Sequence, residues 1–225
     1  MLVLSLDTST RVCSVALHQN GALLGCYELL TEKTHSSLLT TLIQDLVTHA
    51  GFSLGDLDQI AVAKGPGSYT GLRIGVSTAK GLCFSLDKPL VSVHTLEAMA
   101  AQLTPFYPSD YLLCPMIDAR RMEVYCAFYQ SGELRRETAA VIIDENSFSD
   151  LLDTNRIVFF GDGAAKCRET LGKHPNAIFP STEVHPSART VGQLVAAGKG
   201  ATEDLASFEP FYLKEFIGTT PKNRL

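Results

Sequence analysis

Two short segments carry residue types that could handle a phosphate group. Asp7-Thr8-Ser9-Thr10 offers a carboxylate, hydroxyls and backbone amides directly after an apolar run. Residues 64–75, KGPGSYTGLRIG, predict a tight turn and a helix whose first free amides face that turn. Neither segment contains the G-x-x-x-x-G-K-[ST] pattern of a P-loop. We therefore predict one of two roles for Asp7, Thr8 and Ser9. They form either a vestigial phosphate loop or a turn whose side chains accept hydrogen bonds from its own amides.

The sequence offers weaker candidates for a metal ligand or a catalytic nucleophile. His94 opens the sequence HTLEA, in which the position four residues later, where a second metal-binding histidine would share the helix face, is Ala98. Ser68 does not lie in a G-x-S-x-G elbow. The six cysteines form no C-x-x-C pair and mostly lie in apolar runs, which indicates buried thiols in a reducing compartment. We therefore predict no catalytic residue and no bound metal.

Composition narrows the class of protein. A net charge of −5 opposes a self-sufficient nucleic-acid binder, and Arg120-Arg121 and Arg135-Arg136 are only isolated basic pairs. No apolar run approaches the roughly 20 residues of a membrane span. Met1 leads directly into a strand, so no signal peptide is expected. We expect a soluble, cytoplasmic protein that does not engage membranes.

The apolar periodicity predicts the elements that position these segments. Strands are expected near residues 2–6, 12–18 and 22–30, with the Asn20-Gly21 hairpin between the last two. A helix over 35–49, a strand over 60–63, a helix to about 86, a strand over 90–93 and a helix to about 103 follow. Residues 104–108 resemble a boundary between two units, 1–105 and 106–225.

The second unit repeats the first. A gapless offset of 111 pairs Asp7 with Asp118 and Gly21 with Gly132, and residues 157–163 repeat an apolar strand followed by Gly-x-Gly. The predicted order is β-β-β-α-β-α-β-α in each unit. This α/β pattern resembles the duplicated actin-like fold of actin, sugar kinases and heat-shock ATPases, the ASKHA class with its ribonuclease H-like units. The second hairpin, residues 118–121 (DARR), carries bulky side chains where a phosphate clamp would need Gly, Ser or Thr.

The helix after the glycine-rich turn is unusual because its apolar residues point in every direction. A helix that is apolar all round must be covered all round. Its own sheet covers one side, so a partner is expected on the other. The small residues Gly71, Gly75 and Ala79 form a stripe that faces either a neighbouring helix or the chain's own sheet.

At this point four segments together resemble the TsaB (YeaZ) family over nearly the whole chain. They are the DTST turn at 7–10, THS at 34–36, GPGSYTGLRIG at 65–75 and EPFYL at 209–213. The resemblance implies a non-catalytic relative of the transferase TsaD, needed for threonylcarbamoyladenosine next to the anticodon of tRNAs that read codons starting with A. TsaD-type proteins carry His-x-x-x-His where this chain has His94 and Ala98. The tail beyond Leu213 looks divergent.

The resemblance also implies partners. It predicts docking of the first two helices to a TsaD-like subunit, with a TsaE-like ATPase joining, or to a second copy when the subunit is alone. It implies tRNA contact only through the complex, and ATP or ADP, if any, bound only there. The predicted interface residues are His35, Leu38, Leu42, Tyr69, Leu72, Arg73, Val76 and Lys80. On this assignment, Val76→Glu is expected to abolish the complex and leave the monomer folded.

Other functions stay open from the sequence. The chain could be an enzyme in its own right, either an actin-like phosphotransferase that binds ATP or a glycoprotease-like peptidase. Direct binding of tRNA through the arginine pairs is a third alternative.

Overall fold

Two mixed β-sheets form the framework of the protein, which we describe from a computed structural model. The structure describes residues 1–30 and 35–214 and, for residues 35 and 36, the backbone alone. The first copy of the repeat comprises β1 (Leu2–Asp7), β2 (Cys13–Gln19), β3 (Ala22–Leu29), α1 (His35–His49), β4 (Gln59–Ala63), α2 (Tyr69–Leu86), β5 (Leu90–Val93) and α3 (Thr95–Leu103). Thr34, expected from the sequence to cap the first helix, and residues 215–225 of the divergent tail lie outside the described residues.

The second copy follows with the same order of elements. It comprises β6 (Leu112–Asp118), β7 (Glu123–Gln130), β8 (Glu133–Ile142), α4 (Ser149–Leu152), β9 (Ile157–Phe160), α5 (Arg168–Leu171), β10 (Ala177–Ile178) and α6 (Ala188–Ala196), and β11 (Ala201–Glu203) ends it. The first sheet has the strand order β11-β5-β4-β1-β2-β3, and the second has β10-β9-β6-β7-β8. Five strands of each sheet correspond one to one, so the predicted duplication is confirmed.

The two copies also share the turn that follows their first strand. The backbone N–H of Ser9 donates to Asp7 Oδ1 over 2.9 Å, and that of Arg120 donates to Asp118 Oδ1 over 2.8 Å. An aspartate that accepts from the amide two residues on closes a local turn. The aspartate register predicted by the offset is therefore reproduced in three dimensions.

The third helix of each copy packs against the sheet of the other copy. Leu96 and Met99 of α3 belong to one apolar cluster with the second sheet, whereas Val191 and Leu194 of α6 belong to a cluster with the first. Strand β11 pairs antiparallel with β5 and extends the first sheet. The second unit as predicted, residues 106–225, holds the whole second sheet, but its residues 188–203 pack with the first sheet and include strand β11 of that sheet. An apolar helix face buries itself against whichever sheet lies beside it, and a local pattern does not specify which.

Helix α2 is covered by its own chain on one face and open on the other, as expected, but the open face is mostly polar where the sequence predicted apolar residues on every side. Ser68 caps it, with its hydroxyl oxygen accepting from the N–H of Gly71 over 3.3 Å. The buried face consists of Gly71, Leu72, Gly75, Val76, Ala79 and Cys83. Thr70, Arg73, Ser77, Gly81, Phe84 and Ser85 are exposed. Nothing in the described chain is both long and apolar enough for a helical membrane span.

Candidate functional site

The hydroxyls of the Asp7–Thr10 turn are committed to the protein itself. Thr8 Oγ1 donates to the carbonyl oxygen of Gly71 over 2.7 Å, and Ser9 Oγ donates to Asp7 Oδ1 over 2.6 Å. A hydroxyl carries a single hydrogen. Neither side chain therefore retains a donor for a phosphate oxygen in this arrangement.

The glycine-rich turn before α2 fills the space in front of this loop. A Cβ atom added to Gly67 would lie 2.2 Å from the carbonyl oxygen of Ser9, and the N–H of Ser68 donates to that same oxygen over 2.6 Å. The loop thus presents a carbonyl oxygen to the turn, which is the wrong polarity for an anion. Of the two interpretations of this segment, the contacts favour a self-satisfied turn.

The small-residue stripe of α2 faces the chain's own loop. A Cβ atom at Gly71 would lie 2.1 Å from the carbonyl oxygen of Thr8, and one at Gly75 would lie 2.3 Å from Thr8 Oγ1. Ala79, the third member, is fully buried. The stripe therefore permits close packing of α2 on the β1–β2 turn, and it is not available to a neighbouring helix.

Asp7 is the one group of this loop left incompletely bonded among the described residues. It is fully buried, and its Oδ2 atom has no hydrogen-bond partner there. Burial raises the pKa of the Asp7 carboxyl to about 6, against the opposing hydrogen bonds from Ser9. A carboxyl held in this way disfavours folding when it is ionised.

We predict that Asp7→Asn stabilises the protein at pH 7. The pKa of Asp7 in the folded state lies above the ordinary value of 3.8. Its ionisation therefore lowers the free energy of unfolding by up to about 3 kcal/mol above pH 6 and leaves it unchanged below pH 4. Asparagine keeps an acceptor for the Ser9 amide but leaves an N–H group unpaired, which reduces the expected gain to about 1–2 kcal/mol. Urea unfolding at pH 7 and pH 4 measures the difference, which should turn into a loss of about 1–2 kcal/mol at the lower pH, where the unpaired N–H group remains and the charge effect is gone.

The second copy provides a matched control. Asp118 occupies the corresponding turn, but its side chain is exposed and ion-paired with Lys166. Asp118→Asn removes that pair and no buried charge, so it is expected to leave stability unchanged or slightly lower. A gain from Asp118→Asn equal to that from Asp7→Asn would contradict the burial argument.

The arginine pairs are not gathered into one basic surface. Arg120 and Arg121 are exposed in the second turn, with φ of 69° and 49°. Arg136 is paired with Asp150, and its guanidinium carbon lies 5.5 Å from the centroid of the Phe128 ring. These contacts give Arg136 a structural role in the second sheet.

His94 occupies the N-cap position of α3, but its side chain packs and does not cap the helix. It precedes α3 without a capping hydrogen bond from its side chain, and its ring meets that of Phe211 edge-on at 5.3 Å. Burial lowers the pKa of His94, so the imidazole is neutral at pH 7. All six cysteines are free, five buried and Cys26 half-buried. Within residues 1–30 and 35–214, no three histidine, cysteine or carboxylate groups lie close enough to share a metal ion.

Three of the predicted interface residues contact the chain's own C-terminal segment. Tyr69 packs against Tyr212 with ring centroids 4.8 Å apart, and Arg73 Nε donates to the Tyr212 hydroxyl over 3.2 Å. Lys80 Nζ donates to the carbonyl oxygen of Phe208 over 2.9 Å. These residues hold residues 206–212 on α2, so part of the predicted interface is occupied within the molecule.

The remaining predicted interface residues divide between core and surface. Leu72 and Val76 are 1% and 3% exposed, and they are removed from the candidate surface because their own chain buries them. Leu38 is exposed and Leu42 half-buried on α1. The structure describes only the backbone of His35.

One surface residue was missing from the predicted interface. Phe84 is 84% exposed on α2. It follows Arg73 by eleven residues and Lys80 by four, a spacing that places all three on one side of a helix. This helical spacing was the signal in the sequence by which Phe84 could have been included in the predicted interface. We call Leu38, Leu42 and Phe84 the α1–α2 face.

Comparison with known proteins identifies relatives over nearly the whole chain. The family model of TsaD, tRNA N6-adenosine threonylcarbamoyltransferase, matches residues 25–210. The chain is 34% identical over 227 residues to the tRNA threonylcarbamoyladenosine biosynthesis protein TsaB of Escherichia coli (strain K12), with 96% of each chain covered.

Solved structures agree with this relationship. YeaZ from Pseudomonas aeruginosa superposes with a TM-score of 0.76 at 29% identity, covering 94% of this chain and 99% of that one. The activator of the 2-hydroxyisocaproyl-CoA dehydratase from Clostridium difficile with bound ADPNP, at 9% identity and a TM-score of 0.51 over 88% and 96% of the two chains, shares the fold alone. The duplicated actin-like fold is thereby confirmed, and the chain belongs to the TsaB (YeaZ) family.

Proposed function

We propose that this chain is a non-catalytic subunit required for threonylcarbamoyladenosine modification of tRNA. The modified residue is the adenosine 3′ to the anticodon in tRNAs that read codons starting with A. The chain docks to a TsaD-like transferase, a TsaE-like ATPase joins the pair, and the chain forms a homodimer when alone. It contacts tRNA only within the complex and holds no cofactor of its own, with ATP or ADP bound only in the assembly.

The observation that carries the proposal is the filled phosphate loop. Actin-like enzymes use the first hairpin as a phosphate clamp, whereas here Thr8 and Ser9 bond to their own chain and Gly67 packs directly on Ser9. The loop therefore acts as a packing surface that fixes α2. This supports a role for the fold as a binding partner rather than as a catalyst.

The α1–α2 face supports the docking part of the proposal. Phe84 is 84% exposed to water. A partner that covers its apolar surface stabilises the complex by about 25 cal/mol per Å² of that surface buried. Phe84 supplies an apolar centre on α2 with polar Ser77 and Ser85 beside it, and Leu38 and Leu42 add apolar surface on α1. An apolar centre with a polar rim is the usual composition of a protein interface. A TsaD-type chain is the proposed occupant because a relative of this chain is named for threonylcarbamoyladenosine biosynthesis and the TsaD family is named for the transfer of that same group.

One observation favours a different function, an ATP-binding enzyme. The unpartnered Oδ2 atom of buried Asp7 could orient a hydrated metal ion if the glycine-rich turn moved away. Calorimetric titration of the isolated chain with ATP and Mg²⁺ distinguishes the two functions. Stoichiometric binding that is lost in Asp7→Ala would support the enzyme, whereas no binding supports the subunit.

We predict that Phe84→Glu weakens the complex with the TsaD-type chain at least about 30-fold. An anchoring aromatic at the centre of an interface typically contributes 2 kcal/mol or more, about that factor in affinity. The side chain makes little contact with its own protein, so the variant should fold normally. Phe106→Glu is the matched control, because Phe106 is 77% exposed and follows α3 on the opposite side of the first sheet. Equal weakening by both variants would remove the α1–α2 face from the proposal.

Reconstitution tests the function as a whole. The tRNA, the TsaD-type and TsaE-type proteins and the donor adenylate are combined with and without this chain, and threonylcarbamoyladenosine is quantified by mass spectrometry. Modification should require the chain, and the chain alone should produce none. Modification at the same rate without it would overturn the proposal.

A further inference from the structure

A cavity of about 330 Å³ lies apart from both the phosphate loop and the α1–α2 face. Its walls come from the start of α3, the β7–β8 hairpin and the turn after α6. The lining residues are His94, Glu97, Tyr129, Gly132, Glu133, Leu134, Glu137, Thr138 and Lys199. The volume is at the lower end of the range for small-molecule sites. The cavity joins elements of both copies of the repeat.

The charges around this cavity do not balance. Lys199 Nζ lies 3.7 Å from Glu133 and donates to the carbonyl oxygen of Gly132 over 3.3 Å, so this pair neutralises itself. Glu97 and Glu137 have no ion pair or hydrogen bond from any residue that the structure describes. Their two negative charges therefore face the cavity without a counterion.

Neighbouring basic groups compensate these charges only in part. Lys64 lies 3.6 Å from Glu203 and is occupied by it. His94, on the cavity wall, is neutral at pH 7 because burial lowers its pKa. Burial also raises the pKa of Glu97, with Glu133 adding to the effect and both Lys199 and Lys64 opposing it. The lining thus holds three carboxylates and one ammonium group, and the cavity has an excess of acidic groups.

The hydroxyl of Tyr129 provides a second, independent indication of a ligand. Tyr129 is only 4% exposed and lines the cavity, yet its hydroxyl has no hydrogen-bond partner among the described residues. The hydroxyl oxygen itself is accessible within the cavity, where a bound donor can reach it. The pKa of Tyr129 is raised by burial and by the charges of Glu97 and Glu137, so the hydroxyl lies within the field of both carboxylates.

The arrangement suits an extended cation better than a compact one. No three histidine, cysteine or carboxylate groups of the described chain are close enough to hold one metal ion. A flexible molecule with a cationic group at each end can satisfy two separate carboxylates, and each ammonium donates three hydrogen bonds. We propose that this cavity binds an aliphatic diamine, with its two ammonium groups paired to Glu97 and Glu137 and one of them donating to the Tyr129 hydroxyl oxygen.

Isothermal titration of the full chain with 1,4-diaminobutane tests the ligand class. We expect one binding site per chain at low salt, with 1-aminobutane binding at least tenfold more weakly because it has one charge. Mg²⁺ at matched ionic strength should not displace the diamine. Absence of binding up to about 10 mM diamine, equal affinity for the monoamine, or displacement by Mg²⁺ would each overturn the proposal.

Conservative variants test the site. Glu137 is exposed, so Glu137→Gln should fold normally and weaken diamine binding at least tenfold, and Glu97→Gln should do the same. Tyr129→Phe should weaken it several-fold by removing one acceptor. Glu169→Gln, an exposed carboxylate of α5, is the matched control and should bind as the original chain does. Full diamine affinity in Glu137→Gln and Glu97→Gln would place any binding elsewhere. These measurements use no tRNA and no partner, so they are independent of the proposed subunit function.

Discussion

Val76→Glu is expected to unfold the protein rather than to separate it from a partner. Val76 is 3% exposed and belongs to the main apolar cluster between α1, α2 and the first sheet. A carboxylate placed there must either remain charged in an apolar surrounding or take up a proton, and both lower stability. We expect a loss of about 4 kcal/mol or more, a large part of the stability of an ordinary domain. Circular dichroism during urea unfolding measures it.

Ser77→Glu provides the control for this variant. Ser77 follows Val76 directly but is exposed, so the same added charge should change stability by no more than about 0.5 kcal/mol. Loss of a complex in Val76→Glu would therefore report unfolding and would not locate the interface. A Val76→Glu protein with the stability of Ser77→Glu would show that the core around α2 is not packed as described.

Gly71→Ala is expected to destabilise the protein by about 3 kcal/mol, although alanine is the better helix former. The added Cβ atom would lie 2.1 Å from the carbonyl oxygen of Thr8, and backbone cannot move aside as a flexible side chain can. The substitution should therefore push α2 away from the β1–β2 turn and break the bond from Thr8 Oγ1 to the Gly71 carbonyl oxygen. The midpoint of urea unfolding measures the loss.

Gly81→Ala, in the same helix, should have the opposite effect. No atom lies within 4 Å of a Cβ added at Gly81. Helix propensity then acts alone and predicts a gain of up to about 1 kcal/mol. Destabilisation by both substitutions would indicate a general intolerance of α2, and stabilisation by both would contradict the close approach of Thr8.

The close contact between Thr8 and α2 connects these predictions to function. The contact that would be broken in Gly71→Ala is the one that consumes the Thr8 hydroxyl and fills the phosphate loop. If the loop has become a packing surface, weakening it should lower stability without creating nucleotide binding. Titration of Gly71→Ala with ATP and Mg²⁺ under conditions where it remains folded would separate a structural loop from a blocked active site.

Much of the fold was accessible from the sequence because it depends on local rules. The offset of 111 and the shared aspartate turn predicted the duplication, and the elements lie within a few residues of their predicted bounds. Asn20-Gly21 placed a hairpin because both residues readily adopt positive φ, observed at 50° and 84°. The GPGSYTGLRIG segment predicted the family for a similar reason, since spacing within a turn and helix is a property of sequence alone.

Contacts between distant segments were decided only by the tertiary structure. The sequence could not indicate that α6 packs on the first sheet, because an apolar stripe fits either sheet. The sequence could not show which of Val76 and Phe84 is buried, because both are apolar residues of one helix. Only the position of the sheet buries Val76 and leaves Phe84 exposed. The cavity brings Glu97, Tyr129 and Lys199 together across a hundred residues of chain, and no local spacing encodes that meeting. Local patterns specify which elements form, whereas burial and charge balance arise when those elements pack.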